Sequence, residues 1–177
     1  MYKIDILLKQ EQRLFHTRDL ALLWGINNAN TLYTAIKRYV KKEVLIPIHK
    51  GFYSTIPLNK IDPLELGLSS LHGFGYVSCE YILSLAGVIF QSQNYITLVS
   101  SVSKKFALAG HHFLVRRLKP AYLFNDAGLY TATGVTKAST ERAVADLLYF
   151  NPSYHFDNKL PVNWAKMAQT QKAVGYL

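Results

Sequence analysis

The chain has 177 residues, half of them hydrophobic and 18% charged, the composition of a protein that buries a core and not of a disordered tail. Its formal net charge of +9 favours a polyanionic partner, nucleic acid ahead of an acidic protein or anionic lipid. A single cysteine, Cys79, excludes an intrachain disulfide and a thiolate metal cluster and fits a reducing compartment.

The first residues, MYKIDILLKQEQRLF, carry scattered charges and do not read as a signal peptide. No apolar run approaches the ~20 residues that span a bilayer. The longest, Ile82 to Phe90, is broken by Ser84 and Gly87. The expectation is a soluble cytoplasmic protein with no membrane partner.

Ile4 to Phe15 reads as a first helix, with Ile4, Leu7, Leu8 and Leu14 near one face. Thr17 is placed to cap a second helix through Trp24, with Asp19 in its first turn and Gly25 as its stop. Asn28 or Asn30 can cap a third helix, in which Leu32, Ala35, Ile36, Tyr39 and Val40 form one apolar stripe. After Lys42 the pattern changes to a short strand at Val44 to Ile48, a basic turn at His49-Lys50-Gly51, and a second strand at Phe52-Tyr53. Three helices and a basic hairpin within residues 1–57 predict a winged helix-turn-helix domain.

Pro57 and Pro63 mark a linker, and residues 58–177 read as a second, α+β domain. Pro63 starts a helix that runs through Leu71 and is ended by Gly73 and Gly75; Ser78 caps another over Cys79 to Ala86, where Cys79 is expected in the core. Short β-prone runs follow at Tyr95–Val99, Lys105–Leu108, His112–Arg117, Tyr122–Phe124, Tyr130–Thr133 and Val135–Lys137. Ser139-Thr140-Glu141-Arg142 opens an amphipathic helix ended by Asn151-Pro152, with Arg142 and Asp146 read as an i, i+4 surface pair. Val162 to Val174 is a last short helix. The fold class is therefore α+β, an N-terminal winged helix-turn-helix followed by a mixed α+β domain.

The face of the third helix opposite the apolar stripe offers Asn30, Thr31, Tyr33, Thr34, Lys37, Arg38 and Lys41 as DNA-binding residues. Those near the helix start are placed for base edges, and the three cations for phosphates. His49 and Lys50 at the hairpin tip are the wing candidates, for the minor groove or the backbone. The competing reading is an ordinary solvated helix face and a polar hairpin tip. Lys104, Lys105, Arg116, Arg117 and Lys119 suggest a second basic surface. His111 and His112 are adjacent, so in a strand they point to opposite faces and do not make a metal site. No phosphate-binding loop, nucleophile elbow, zinc-protease motif or carboxylate cluster is present, so neither an enzyme nor a cofactor is expected.

Three segments together resemble the AbiE-type antitoxins, transcriptional regulators encoded beside a nucleotidyltransferase-like toxin. The first is Phe15-x-Thr17-x-Asp19-Leu20 with Leu32, Arg38, Val44-Leu45 and Gly51-Phe52-Tyr53. The second is Gly75-Tyr76-Val77-Ser78-x-x-Tyr81-x-Leu83 leading to Tyr95-Ile96-Thr97-Leu98-Val99, and the third is Ser139-Thr140-Glu141-Arg142-Ala143-x-Ala145-Asp146-Leu147-Leu148. The resemblance implies an antitoxin-type C-terminal domain, repression of the protein's own promoter through DNA repeats, and counteraction of the cognate toxin. The alternative is a protein-interaction module that binds a partner toxin without sequence-specific DNA binding.

Overall fold

The computed structural model describes residues 3–177, which divide into two compact units, one ending at Asp62 and one spanning Pro63–Leu177. The architecture is α+β, and among the described residues no helix is long and apolar enough to cross a membrane.

The first unit runs α1 (Lys3–Leu8), β1 (Leu14–His16), α2 (Thr17–Trp24), α3 (Ala29–Lys41), β2 (Ile46–His49) and β3 (Phe52–Ser54). The strands form an antiparallel sheet in the order β1-β3-β2. The single helix expected over Ile4 to Phe15 is instead α1 plus strand β1. Leu14 and Phe15 are both buried in β1, paired with Ser54 and Tyr53. The cap of α2 is His16, one residue before Thr17, and its backbone N–H donates to Asp19 Oδ2 at 2.7 Å. Gly25 adopts the left-handed conformation (φ 62°) that closes α2, with its N–H and the next satisfying the last carbonyls. Leu7, Phe15, Leu20, Trp24, Leu32, Ala35, Ile36, Tyr39 and Leu45 make one core. A buried Leu, Ile or Phe there contributes about 1.5–3 kcal/mol.

The second unit contains α4 (Pro63–Ser69), β4 (Gly75–Val77), α5 (Cys79–Leu85), β5 (Ile96–Ser100), β6 (Lys104–Leu108), β7 (His111–Arg117), α6 (Pro120–Leu123), β8 (Leu129–Ala132), β9 (Val135–Ala138), α7 (Thr140–Phe150) and α8 (Trp164–Val174). Its six strands order as β6-β7-β5-β4-β9-β8, with β5–β7 and β4–β9 parallel and the other neighbours antiparallel. One face meets α4, where Gly67 abuts the Phe113 ring. The opposite face meets α5 and α7, since Arg116 of β7 pairs with Glu80 of α5 and lies over the Phe150 ring of α7. Helix α4 stops at Ser69, short of Leu71, and Gly75 belongs to a strand. Tyr122–Phe124, expected as a strand, lies in and just after α6, because Pro120 fixes the first helical position.

The largest departure concerns Arg142 and Asp146. They are not a surface pair: both side chains are completely buried, with Arg142 Nε donating to Asp146 Oδ1 at 2.8 Å. Nη1 donates to the carbonyls of Asn125 (3.1 Å) and Ala127 (2.7 Å), and Nη2 to Tyr122 O and the Tyr76 hydroxyl. Asp146 also accepts from Tyr76, Ser78 and Tyr176 hydroxyls. Ser78 thus spends its side chain on Asp146 and makes no side-chain cap for α5. Such a charge pair is tolerable inside a protein only when its hydrogen-bonding capacity is met, as it is here. Burial first, then the Asp146 charge, pushes the Tyr76 and Tyr176 phenols well above their ordinary range. Burial opposes the Arg142 cation, but Asp146 and the two tyrosines outweigh it and hold the guanidinium charged. Cys79 is buried as expected, at φ 55°, and burial followed by the Asp146 charge raises its thiol pKa.

Candidate nucleic-acid interface

Helix α3 owes its start to Asn28, whose Oδ1 accepts from Thr31 N at 3.0 Å and from the Thr31 hydroxyl at 3.2 Å. Its orientation follows from what it buries. Leu32, Ala35, Ile36 and Tyr39 are held in the core, and Tyr39 lies against Trp24 with ring centroids 5.3 Å apart. The other face is thereby forced into solvent.

Asn30, Thr31, Tyr33, Thr34, Lys37, Arg38 and Lys41 are all exposed. Asn30, Tyr33, Thr34, Lys37 and Lys41 follow i, i+3, i+4, i+7, i+11 spacing and so share one stripe, flanked by Thr31 and Arg38. At 13 residues α3 is roughly 20 Å long, several base-pair steps of a duplex. The Thr34 hydroxyl donates to Asn30 O at 2.8 Å, which leaves its lone pairs as acceptors. Arg38 and Lys41 occupy the last turn, where cations also offset the negative helix end.

His49 and Lys50 are exposed at the tip of the β2–β3 hairpin. That tip is anchored, since Gly51 O accepts from Thr17 N at 2.9 Å and from the Thr17 hydroxyl at 3.3 Å. Gly51 has φ +80°, a conformation an L side chain rarely adopts, and an added Cβ would stand 3.3 Å from Thr17 Oγ1. Pro47 sits on edge strand β2, where a missing N–H costs no ladder bond. The His49 ring leans on Phe52 at 5.2 Å. The helix stripe and the hairpin tip therefore belong to one unit with one core, the tip bound to the start of α2.

The C-terminal basic residues are dispersed. Strand alternation and register put Lys104 and Arg117 on one face of the sheet and Lys105 and Arg116 on the other. Arg116 is committed to Glu80 and Phe150; Lys104 lies 4.8 Å over Phe106 and Lys105 5.3 Å over Tyr95. Lys119 is exposed just before α6. They form no single surface. His111 and His112 both line a small cleft, and among the described residues no group of three His, Cys, Asp or Glu is arranged to hold a metal ion.

The residues missed from the sequence are those of the Arg142 network. A signal was present: Arg142 and Asp146 are interleaved with Ala143, Val144, Ala145 and Leu147, and a helix apolar on most sides is a buried helix whose charges are buried with it. The chain matches no family model, and no curated protein matches it.

Proposed function

We propose that the first unit is a winged helix-turn-helix that binds double-stranded DNA, with α3 in the major groove and the β2–β3 hairpin as the wing. The observation that carries this reading is the stripe from Asn30 to Lys41, all exposed, on a helix whose apolar side is consumed by the core. The order helix, strand, helix, helix, strand, strand with a β1-β3-β2 sheet supports it. In this assignment Asn30, Thr31, Tyr33 and Thr34 meet base edges, while Lys37, Arg38 and Lys41 hold phosphates and His49 and Lys50 the flanking backbone or minor groove.

From the three-segment resemblance to AbiE-type antitoxins we further propose an antitoxin and transcriptional autorepressor, acting on repeats in its own promoter and counteracting a nucleotidyltransferase-like toxin. The test is a footprint of the full chain on the DNA upstream of its gene, alongside co-expression with the neighbouring reading frame. Protection of repeated sequence together with relief of the neighbour's toxicity is the expected result. Stable association with the neighbouring gene product and no protection of any duplex would overturn the DNA-binding assignment in favour of a protein-interaction module.

A further inference from the structure

Where α5, the approach to β5 and the β6–β7 turn meet, the second unit has an open cleft of about 190 Å³ lined by Tyr81, Gln93, Asn94, Tyr95, His111 and His112 with Ile96 and Gly110. None of these lining residues is acidic. The Tyr95 and His112 rings stand edge-on with centroids 6.0 Å apart, and the Lys105 ammonium lies 5.3 Å from the Tyr95 ring centroid. Register explains the convergence: Lys105 pairs with Leu114 on the face of the sheet that also carries His112, and Tyr95 leads into β5 beside it.

We propose that this cleft binds a nucleotide unit. The half-buried Tyr95 ring is the stacking platform, which serves any base because every base has a π-face. The side-chain amides of Gln93 and Asn94 supply both donors and acceptors for a base edge; Gln93 Nε2 already donates to Gln91 O at 3.2 Å, which leaves its oxygen to accept. Lys105 and His112, on the same face of the sheet, receive the phosphate, with no carboxylate in the lining to repel it. The volume lies below the ~300 Å³ at which pockets for whole drug-sized ligands begin, so it suits one ring with its sugar-phosphate at the mouth. The same chemistry is presented by a free mononucleotide and by an unpaired nucleotide of a strand. The site contains no residue of α3.

Calorimetric titration of the full chain tests it, using AMP, adenosine, ribose 5-phosphate and an eight-base deoxyadenylate, with the oligomer titrated into a Lys37→Ala, Arg38→Ala, Lys41→Ala background. AMP is expected to bind more tightly than adenosine, and ribose 5-phosphate to bind weakest. Tyr95→Ala should weaken AMP by roughly 5- to 150-fold, the value of one base–aromatic stack. Lys105→Ala, at an exposed position, should weaken AMP and leave adenosine unchanged. Tighter binding of the oligomer, with the same dependence on Tyr95, identifies a strand as the source; equal or tighter AMP identifies the free nucleotide. The site is refuted if neither AMP nor the oligomer binds at about 1 mM. Binding of both that is indifferent to Tyr95→Ala and Lys105→Ala refutes it as well. Thermal unfolding of each variant separates a lost site from a lost fold, and Lys105→Ala alone decides if Tyr95→Ala does not fold.

Discussion

Replacing Asp146 by Asn changes one atom of a fully buried side chain, yet the structure gives it a large effect. Asp146 accepts four hydrogen bonds: from Arg142 Nε (2.8 Å) and the Tyr176 hydroxyl (2.5 Å) on one oxygen, and from Tyr76 (3.0 Å) and Ser78 (2.7 Å) on the other. The amide would put an NH2 donor against donors on one side and leave the Arg142 cation buried without its counter-charge. Breaking a buried pair from one side costs about 3–5 kcal/mol, a large part of the ~5–15 kcal/mol that holds a domain folded. Arg142→Met should cost a similar amount, because it strands Asp146 and removes the donors to Tyr122, Asn125 and Ala127 carbonyls. In a double-mutant cycle the two losses should be less than additive by about 0.5–3 kcal/mol, as expected for neighbours in one network. Urea unfolding by circular dichroism, with the chain treated as two units, measures this. A loss under about 1 kcal/mol for Asp146→Asn would contradict the description of the network as charged and fully satisfied.

The Tyr76 and Tyr176 phenols should make the second unit less stable at alkaline pH, in the same direction as the buried Cys79 thiol. Their folded pKa values are raised above the ordinary ~10 of the unfolded chain, so the folded state retains protons that the unfolded state releases. Their contribution is intact below about pH 10 and is lost as pH rises, by up to about 1.4 kcal/mol per pH unit for each tyrosine; Tyr76→Phe and Tyr176→Phe should each flatten that slope in alkaline unfolding curves. In α4, Gly67→Ala improves helix propensity but puts a methyl 2.7 Å from Phe113 Cδ1. Since Phe113 is fully buried and stacked on Phe106, thermal melts should show a loss of about 1–3 kcal/mol and not the gain propensity alone predicts. Buried Cys79 should react with iodoacetamide only as fast as its unit opens, so that labelling accelerates with urea in step with unfolding.

Helix α3 was legible because three local signals agree over it: an apolar stripe, an Asn at the cap and a change of period after Lys42. Strands β1 and β4 were not: the equally short β3 is marked by the turn that joins it to β2, whereas β1 and β4 exist through pairing with partners distant in sequence such as Ser54 and Ser100. Tyr122-Leu123-Phe124 has strand-forming side chains, but the turn started by Pro120 outweighs that weak preference. The Arg142 network escaped for a different reason. Spacing of i, i+4 describes a pair equally well in water or in a core; the apolar neighbours Ala143, Val144, Ala145 and Leu147 were the signal for a core, while the Tyr122, Asn125 and Ala127 carbonyls that complete the shell around the guanidinium come from elsewhere in the chain. The exposed stripe of α3, by contrast, required no tertiary information, because burial of one helix face determines the other.

The most direct test of DNA binding through that stripe is the salt dependence of affinity for the upstream duplex, measured for the native chain and for the Lys37→Ala, Arg38→Ala, Lys41→Ala variant. Each phosphate contact contributes about 0.9 to the slope of log affinity against log salt, so loss of three should make the slope shallower by about 2.7. Affinity should fall on specific and unrelated duplexes alike, since these residues hold phosphates and not bases. Equal slopes for the two proteins, or unchanged affinity, would mean that the α3 face does not touch DNA.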